Sequence, residues 1–160
     1  SPVVWVGKWF ALLKHGDREA LEAWTEEMPF DGPKPLLRRF ARLGPEALPS
    51  DREALAEDIL TATETDLPSW LAYLMLDQMG EPERALDVAQ REAEAGQFVN
   101  SVVMFDPFMP EARRTERFAR IAERLGYLDY WRLREAPTVC RMEAEAPVCQ
   151  MIASRGSESR

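Results

Sequence analysis

The chain has 160 residues, of which 46% are hydrophobic and 30% charged, the balance of a folded soluble protein and not of a disordered tail. Its 20 Lys and Arg face 28 Asp and Glu, and a net charge of -8 would repel a phosphate backbone, so nucleic acid is not an expected partner of this segment. No apolar run approaches the roughly 20 residues of a membrane span, so no membrane contact is expected either.

In chain order, the first element is a helix in which Trp5, Trp9, Leu12 and Leu13 form one apolar stripe, ended by Gly16. Asp17 is the expected cap of its partner helix. A second helical pattern runs from Phe40 to Gly44, and the Ser50-x-x-Glu53 pair before Leu55, Ile59 and Leu60 predicts a capped helix start. Trp70 to Gly80 follows, with Pro68 and Pro82 placed where a first helical turn tolerates proline. The best strand candidate is Val99–Phe105, a run that a buried helix would fit as well. Connections fall at Pro29–Pro35, Pro45–Pro49 and Pro107–Pro110, and the stretch from Glu135 reads as an irregular tail.

A repeat runs through these elements. Arg18-Glu19-Ala20-Leu21, Arg52-Glu53-Ala54-Leu55, Glu83-Arg84-Ala85-Leu86 and the weaker Glu116-Arg117-Phe118-Ala119 start 34, 31 and 33 residues apart. That period belongs to arrays of helical hairpins, each of which buries its apolar face by stacking on its neighbours. The expected fold is therefore all-α, with about seven or eight helices as stacked hairpins over residues 1–134 and an irregular tail over 135–160. Ala20, Ala54 and Ala85 are expected at helix crossings.

Leu71-Ala72-Tyr73-Leu74 through Gly80, then Ala85-Leu86, resembles one tetratricopeptide unit, with alanine at the close crossing of the two helices. Phe105-Asp106-Pro107, Arg117-Phe118, Leu125-Gly126-Tyr127, Tyr130-Trp131-Arg132 and Pro137-Thr138-Val139-Cys140 resemble the closing segment of tetratricopeptide regions in proteobacterial regulators and cyclase-type proteins. The resemblance implies the sensor or scaffold part of a larger protein. The start on Ser1, without a secretory leader pattern, likewise reads as a fragment or a processed form.

Catalytic chemistry finds little to build on. His15 is the single histidine and precedes a helix-ending glycine, where the helix dipole favours a cation. Phosphate-loop, dinucleotide and nucleophile-elbow patterns do not occur, and two cysteines with one distant histidine are too few for a zinc site. No enzyme activity, cofactor or metal is expected. Among the five tryptophans, four lie in helical stripes and read as packing, whereas Trp131 is expected to dock the tail.

Cys140 and Cys149 bracket a proline-containing loop, which suggests a disulfide; closing a ring of about ten residues would contribute roughly 2.7 kcal/mol. Two reduced thiols in a cytoplasmic protein are the alternative, and the bridge goes with a periplasmic location of a membrane-anchored protein. On this reading, reduction loosens the tail and spares the helical array.

The expected function is peptide or protein binding in the concave groove of the array. The tetratricopeptide frame directs Arg38, Arg42, Trp70 and Asp77 toward that groove. Arg38, Arg39 and Arg42 form the densest basic cluster and suit an acidic ligand, with a solvated helix face as the alternative. The rival function is a small-molecule sensor with a pocket lined by Trp70, Tyr73 and Met75, controlling an output domain elsewhere in the protein.

Overall fold

The computed structural model describes residues 2–29, 32–43, 47–96 and 110–155. Eleven helices occur among them: α1 (Pro2–His15), α2 (Arg18–Glu26), α3 (Lys34–Arg42), α4 (Pro49–Ala62), α5 (Ser69–Gln78), α6 (Pro82–Glu94), α7 (Pro110–Arg113), α8 (Glu116–Arg124), α9 (Tyr127–Leu133), α10 (Val139–Met142) and α11 (Pro147–Arg155). The chain is all-helical, with no strand among the described residues. The strand candidate Val99–Phe105 and the closing Phe105-Asp106-Pro107 motif lie outside them, as does Gly44. The helices form two compact units, residues 1–68 and 69–160.

In the first unit, α1 carries the expected stripe, with Trp5 and Trp9 buried and Leu12 and Leu13 half-buried. Gly16 ends α1 at a φ of 71°, a conformation that strains other residues, and the Asp17 carboxylate then accepts from the Ala20 amide at 3.1 Å to start α2. Burying an indole leaves an N–H to satisfy. Trp5 and Trp24 solve this reciprocally, each donating to the other's carbonyl at 3.0 and 3.1 Å. Trp9 donates to Thr25 Oγ1 at 2.8 Å, and that hydroxyl passes its own proton to Leu21 O at 2.8 Å. The Trp9 ring also stacks on Phe40 of α3 at 5.2 Å.

Helix α4 starts one step earlier than expected. Pro49 takes its first turn, since it lacks an N–H and has its φ preset, so Ser50 lies inside the helix and no side chain caps its start. The Ser50–Glu53 capping box does not form. Pro82 opens α6 as expected, while Pro68 stands just before α5.

The core of the second unit is α5, buried without interruption from Leu71 to Asp77 and packed on α6 through Ala85, Leu86, Val88 and Ala89. Helix α8 adds Phe118, Ala119, Ile121 and Ala122, and begins at a Thr115 cap whose hydroxyl accepts from the Phe118 amide at 3.1 Å. The stretch after Glu135 is not irregular throughout, which also raises the helix count. It forms α10 and α11, because Val148 and Ile152 give α11 an apolar face that packs on α8 and α9.

The four repeated tetrads fall in α2, α4, α6 and α8, and their fourth residue is buried each time: Leu21, Leu55, Leu86 and Ala119. The third position is not uniform. Ala85 and Phe118 are buried, Ala20 is half-buried and Ala54 is exposed, so the expected crossing at Ala54 is corrected to its neighbour Leu55. Ala85→Leu should therefore cost about 1–3 kcal/mol by overpacking. Ala54→Leu should stay within about 0.5 kcal/mol in the same urea titration.

Candidate functional site

In the first unit the arginines of α3 form a ladder with α2. Arg38 donates to both Glu26 oxygens, through Nε to Oε1 and through Nη2 to Oε2 at 2.6 Å, and Arg42 grips Glu22 through two contacts of 3.1 Å. A spacing of four puts Glu22 and Glu26 on one face of α2, and Arg38 and Arg42 on one face of α3. The crossed pairing, early residue to late residue, sets the two helices antiparallel. These arginines hold the Glu22 and Glu26 carboxyls below their ordinary pKa, chiefly through hydrogen bonds. Arg39 turns the other way and meets Asp58 of α4 at 2.5 Å.

An open cleft of about 500 Å³ lies beside this ladder. Arg18, Arg39 and Arg42 supply its polar side, Leu43, Ala54 and Leu55 its apolar side, and Asp51 is the acid on its wall. The carboxylates holding Arg39 and Arg42 are themselves exposed, Asp58 by 52% and Glu22 by 38%, so these pairs exchange readily with solvent or a ligand. Arg18 reaches only the carbonyl of Arg42, at 3.5 Å, and has no carboxylate partner among the described residues.

Among its described residues the second unit encloses two charged side chains, Asp77 and Arg113. Asp77 is 1% exposed, and its Oδ1 accepts from the Ala112 amide at 2.5 Å, so a carboxylate of α5 fixes the start of α7. Burial pushes the Asp77 pKa up, while the Ala112 amide pulls it down without cancelling the rise. Its Oδ2 and the Tyr73 hydroxyl, one turn earlier on the same face of α5, are buried without a hydrogen-bond partner among the described residues. Burial, then the charge of Asp77, raises the Tyr73 hydroxyl well above its usual range and keeps it neutral.

Arg113, at the other end of α7, is 0% exposed and makes a bidentate pair with Glu143 at 3.1 and 3.2 Å. Arg114 adds a contact of 3.4 Å to the same carboxylate. Burial opposes the Glu143 charge, but Arg113 and Arg114 outweigh it and hold its pKa below normal. Cys140 and Cys149 stand paired at disulfide distance, their Cα atoms 5.4 Å apart, and Glu143 lies within the ring they close. The ring itself lies within the tail, and the Glu143 side chain reaches from it to Arg113.

The four residues expected to face one groove are not equivalent. Arg38 and Arg42 lie on the surface of the first unit, Arg42 at the cleft and Arg38 in the ladder beside it. Trp70 is half-buried in α5, while Asp77 is enclosed there as an anchor for α7. Tyr73 and Met75 are core residues of the second unit. Trp131 is half-buried and meets Tyr127 of its own helix at 5.6 Å. His15 is exposed at the end of α1. Among the described residues no cluster of metal-ligating side chains occurs, and no helix is long and apolar enough to cross a membrane. No protein-family model, curated protein or solved structure matches the chain.

Residue patterns could have pointed to the ladder, since Glu22-x-x-x-Glu26 and Arg38-x-x-x-Arg42 match in spacing and oppose in sign. Arg113 and Glu143 had no such local signal. Asp77 yields a test: Asp77→Ala, which orphans buried amides, should cost about 2 kcal/mol. Asp77→Asn keeps the acceptor and should cost less. A raised folded pKa means the Asp77 carboxyl favours folding most below its unfolded pKa, and that contribution fades as pH rises through the folded pKa. The stability difference between Asp77→Asn and wild type should therefore move in favour of the variant as pH rises from the acidic range to neutrality, read by urea denaturation.

Proposed function

We propose that this chain is a non-catalytic, tetratricopeptide-like helical module that binds an acidic segment of a protein partner. The observation that carries the reading is the cleft of the first unit, where three arginines converge beside an apolar wall in a chain of net charge -8. Arginine's planar fork suits carboxylates, and Leu43 and the exposed Ala54 offer contact to an apolar residue among them. Glu22 and Asp58 already occupy two of the forks, as the carboxylates of a bound peptide would, and binding proceeds by exchange of exposed pairs.

The sensor reading has less support, because Tyr73 and Met75 fill a core and the arginine cleft is open to solvent. The helical pairs carrying the tetrads, α1 with α2, α3 with α4 and α5 with α6, are each in contact, in keeping with hairpin units. Arg38, Trp70 and Asp77 drop out of the direct binding set in this proposal, and Arg18 and Arg39 join Arg42.

The experiment is fluorescence anisotropy with a short labelled peptide rich in Asp and Glu, against a Lys-rich peptide of the same length. The acidic peptide should bind, more weakly as salt is added, and Arg18→Glu with Arg39→Glu and Arg42→Glu should weaken it about tenfold or more with the helical circular dichroism unchanged. Equal binding by wild type and the triple variant would remove the cleft from the proposal.

A further inference from the structure

We infer that Cys140 and Cys149 form a thiol–disulfide exchange site whose redox state sets the order of α7 through the Glu143–Arg113 pair. The inference is independent of the arginine cleft, which lies in the other unit.

The two ends of the ring are held very differently. Helix α11 keeps its place without the bridge, because Val148 and Ile152 are buried and the helix packs on α8 and α9. Helix α10 has four residues, too few to persist alone, and Val139 is its one buried side chain. The bridge from Cys140 to Cys149 therefore ties a weak helix to a strong one. Glu143 follows α10 directly, its amide bonded to Val139 O at 2.9 Å, and it carries the carboxylate that faces the fully buried Arg113. When α10 loosens, that carboxylate leaves, and a guanidinium in an enclosed site loses a bidentate partner. Arg113 ends α7, whose start is held by Asp77, so the disturbance falls on a helix of four residues fixed by charge at both ends.

The co-reactant is a dithiol. Its thiolate attacks Sγ of Cys140, the more exposed of the two residues, and forms a mixed disulfide; the Cys149 thiolate leaves and takes a proton. The second thiol of the reagent, as its thiolate, attacks the mixed disulfide, becomes a cyclic disulfide and releases Cys140, which takes the second proton. Two electrons pass from the dithiol to the protein. Any oxidant that accepts two electrons and two protons, a disulfide included, restores the ring.

Hydrogen exchange at the Ala112 amide, which Asp77 holds, reads the coupling in the full chain. Dithiothreitol should speed exchange at Ala112 about tenfold or more, with the loop-entropy factor of about a hundred as the ceiling if the whole effect of the ring is passed on. Cys140→Ser with Cys149→Ser should reproduce the effect without reductant. Glu143→Gln in the oxidised protein should speed the same amide, while amides of Leu21 to Thr25 stay within about twofold in every case. Unchanged exchange at Ala112 on reduction would overturn the inference. So would a fast Ala112 in the reduced protein with no effect of Glu143→Gln, because the signal would then not pass through the carboxylate.

Discussion

The second unit depends on burying a guanidinium. Arg113 has no exposed surface, and a cation removed from water at that depth must be met by an anion and by hydrogen bonds. Glu143 meets it through two parallel contacts, and much of the surrounding architecture serves that pairing. The ring through Cys140 and Cys149 holds the carboxylate in place, and Asp77 holds the other end of the helix that carries the guanidinium. Apolar burial by α5, α6 and α8 supplies the bulk of the driving force, as in any helical core. The buried charges fix which short helices sit where.

The first unit meets its polar demands in another way. Its indoles each find a neutral acceptor on a neighbouring helix: Trp5 and Trp24 through each other's backbone, Trp9 through Thr25. Its charges stay outside, in the ladder between α2 and α3 and in the Arg39–Asp58 pair. Exposed pairs contribute little to stability, which leaves them free to exchange with a ligand. One unit thus keeps its arginines available, and the other commits one to the interior. A comparable surface clamp occurs in the second unit, where Arg117 of α8 reaches Glu83 and Asp87 of α6, four residues apart on one face.

Local chemistry was legible in the sequence wherever it acts over a few residues. The Trp5–Trp9 stripe, the Gly16 stop, the Asp17 cap and the opening of α6 by Pro82 all rest on contacts within a turn or two. The period pointed to the alanines at the third position of the tetrads, whereas it is the fourth residue that is buried each time. The Ser50 cap failed because Pro49, one residue earlier, competes for the first turn and wins. The tetratricopeptide frame turned Asp77 toward a groove. Only the arrival of α7, 35 residues later in the chain, explains its burial. The pairing of Arg113 with Glu143 across 30 residues was hidden for the same reason.

A double-mutant cycle on Arg113 and Glu143 tests the account most directly. Glu143→Leu removes the carboxylate that the buried Arg113 faces, and Arg113→Met removes the guanidinium that Glu143 shares with Arg114, whereas the double variant replaces both by apolar groups. Urea unfolding of the oxidised full chain should show a coupling of about 2 kcal/mol or more, with the double variant more stable than Glu143→Leu alone. Single-variant costs that simply add would contradict the claim that this pair organises the second unit.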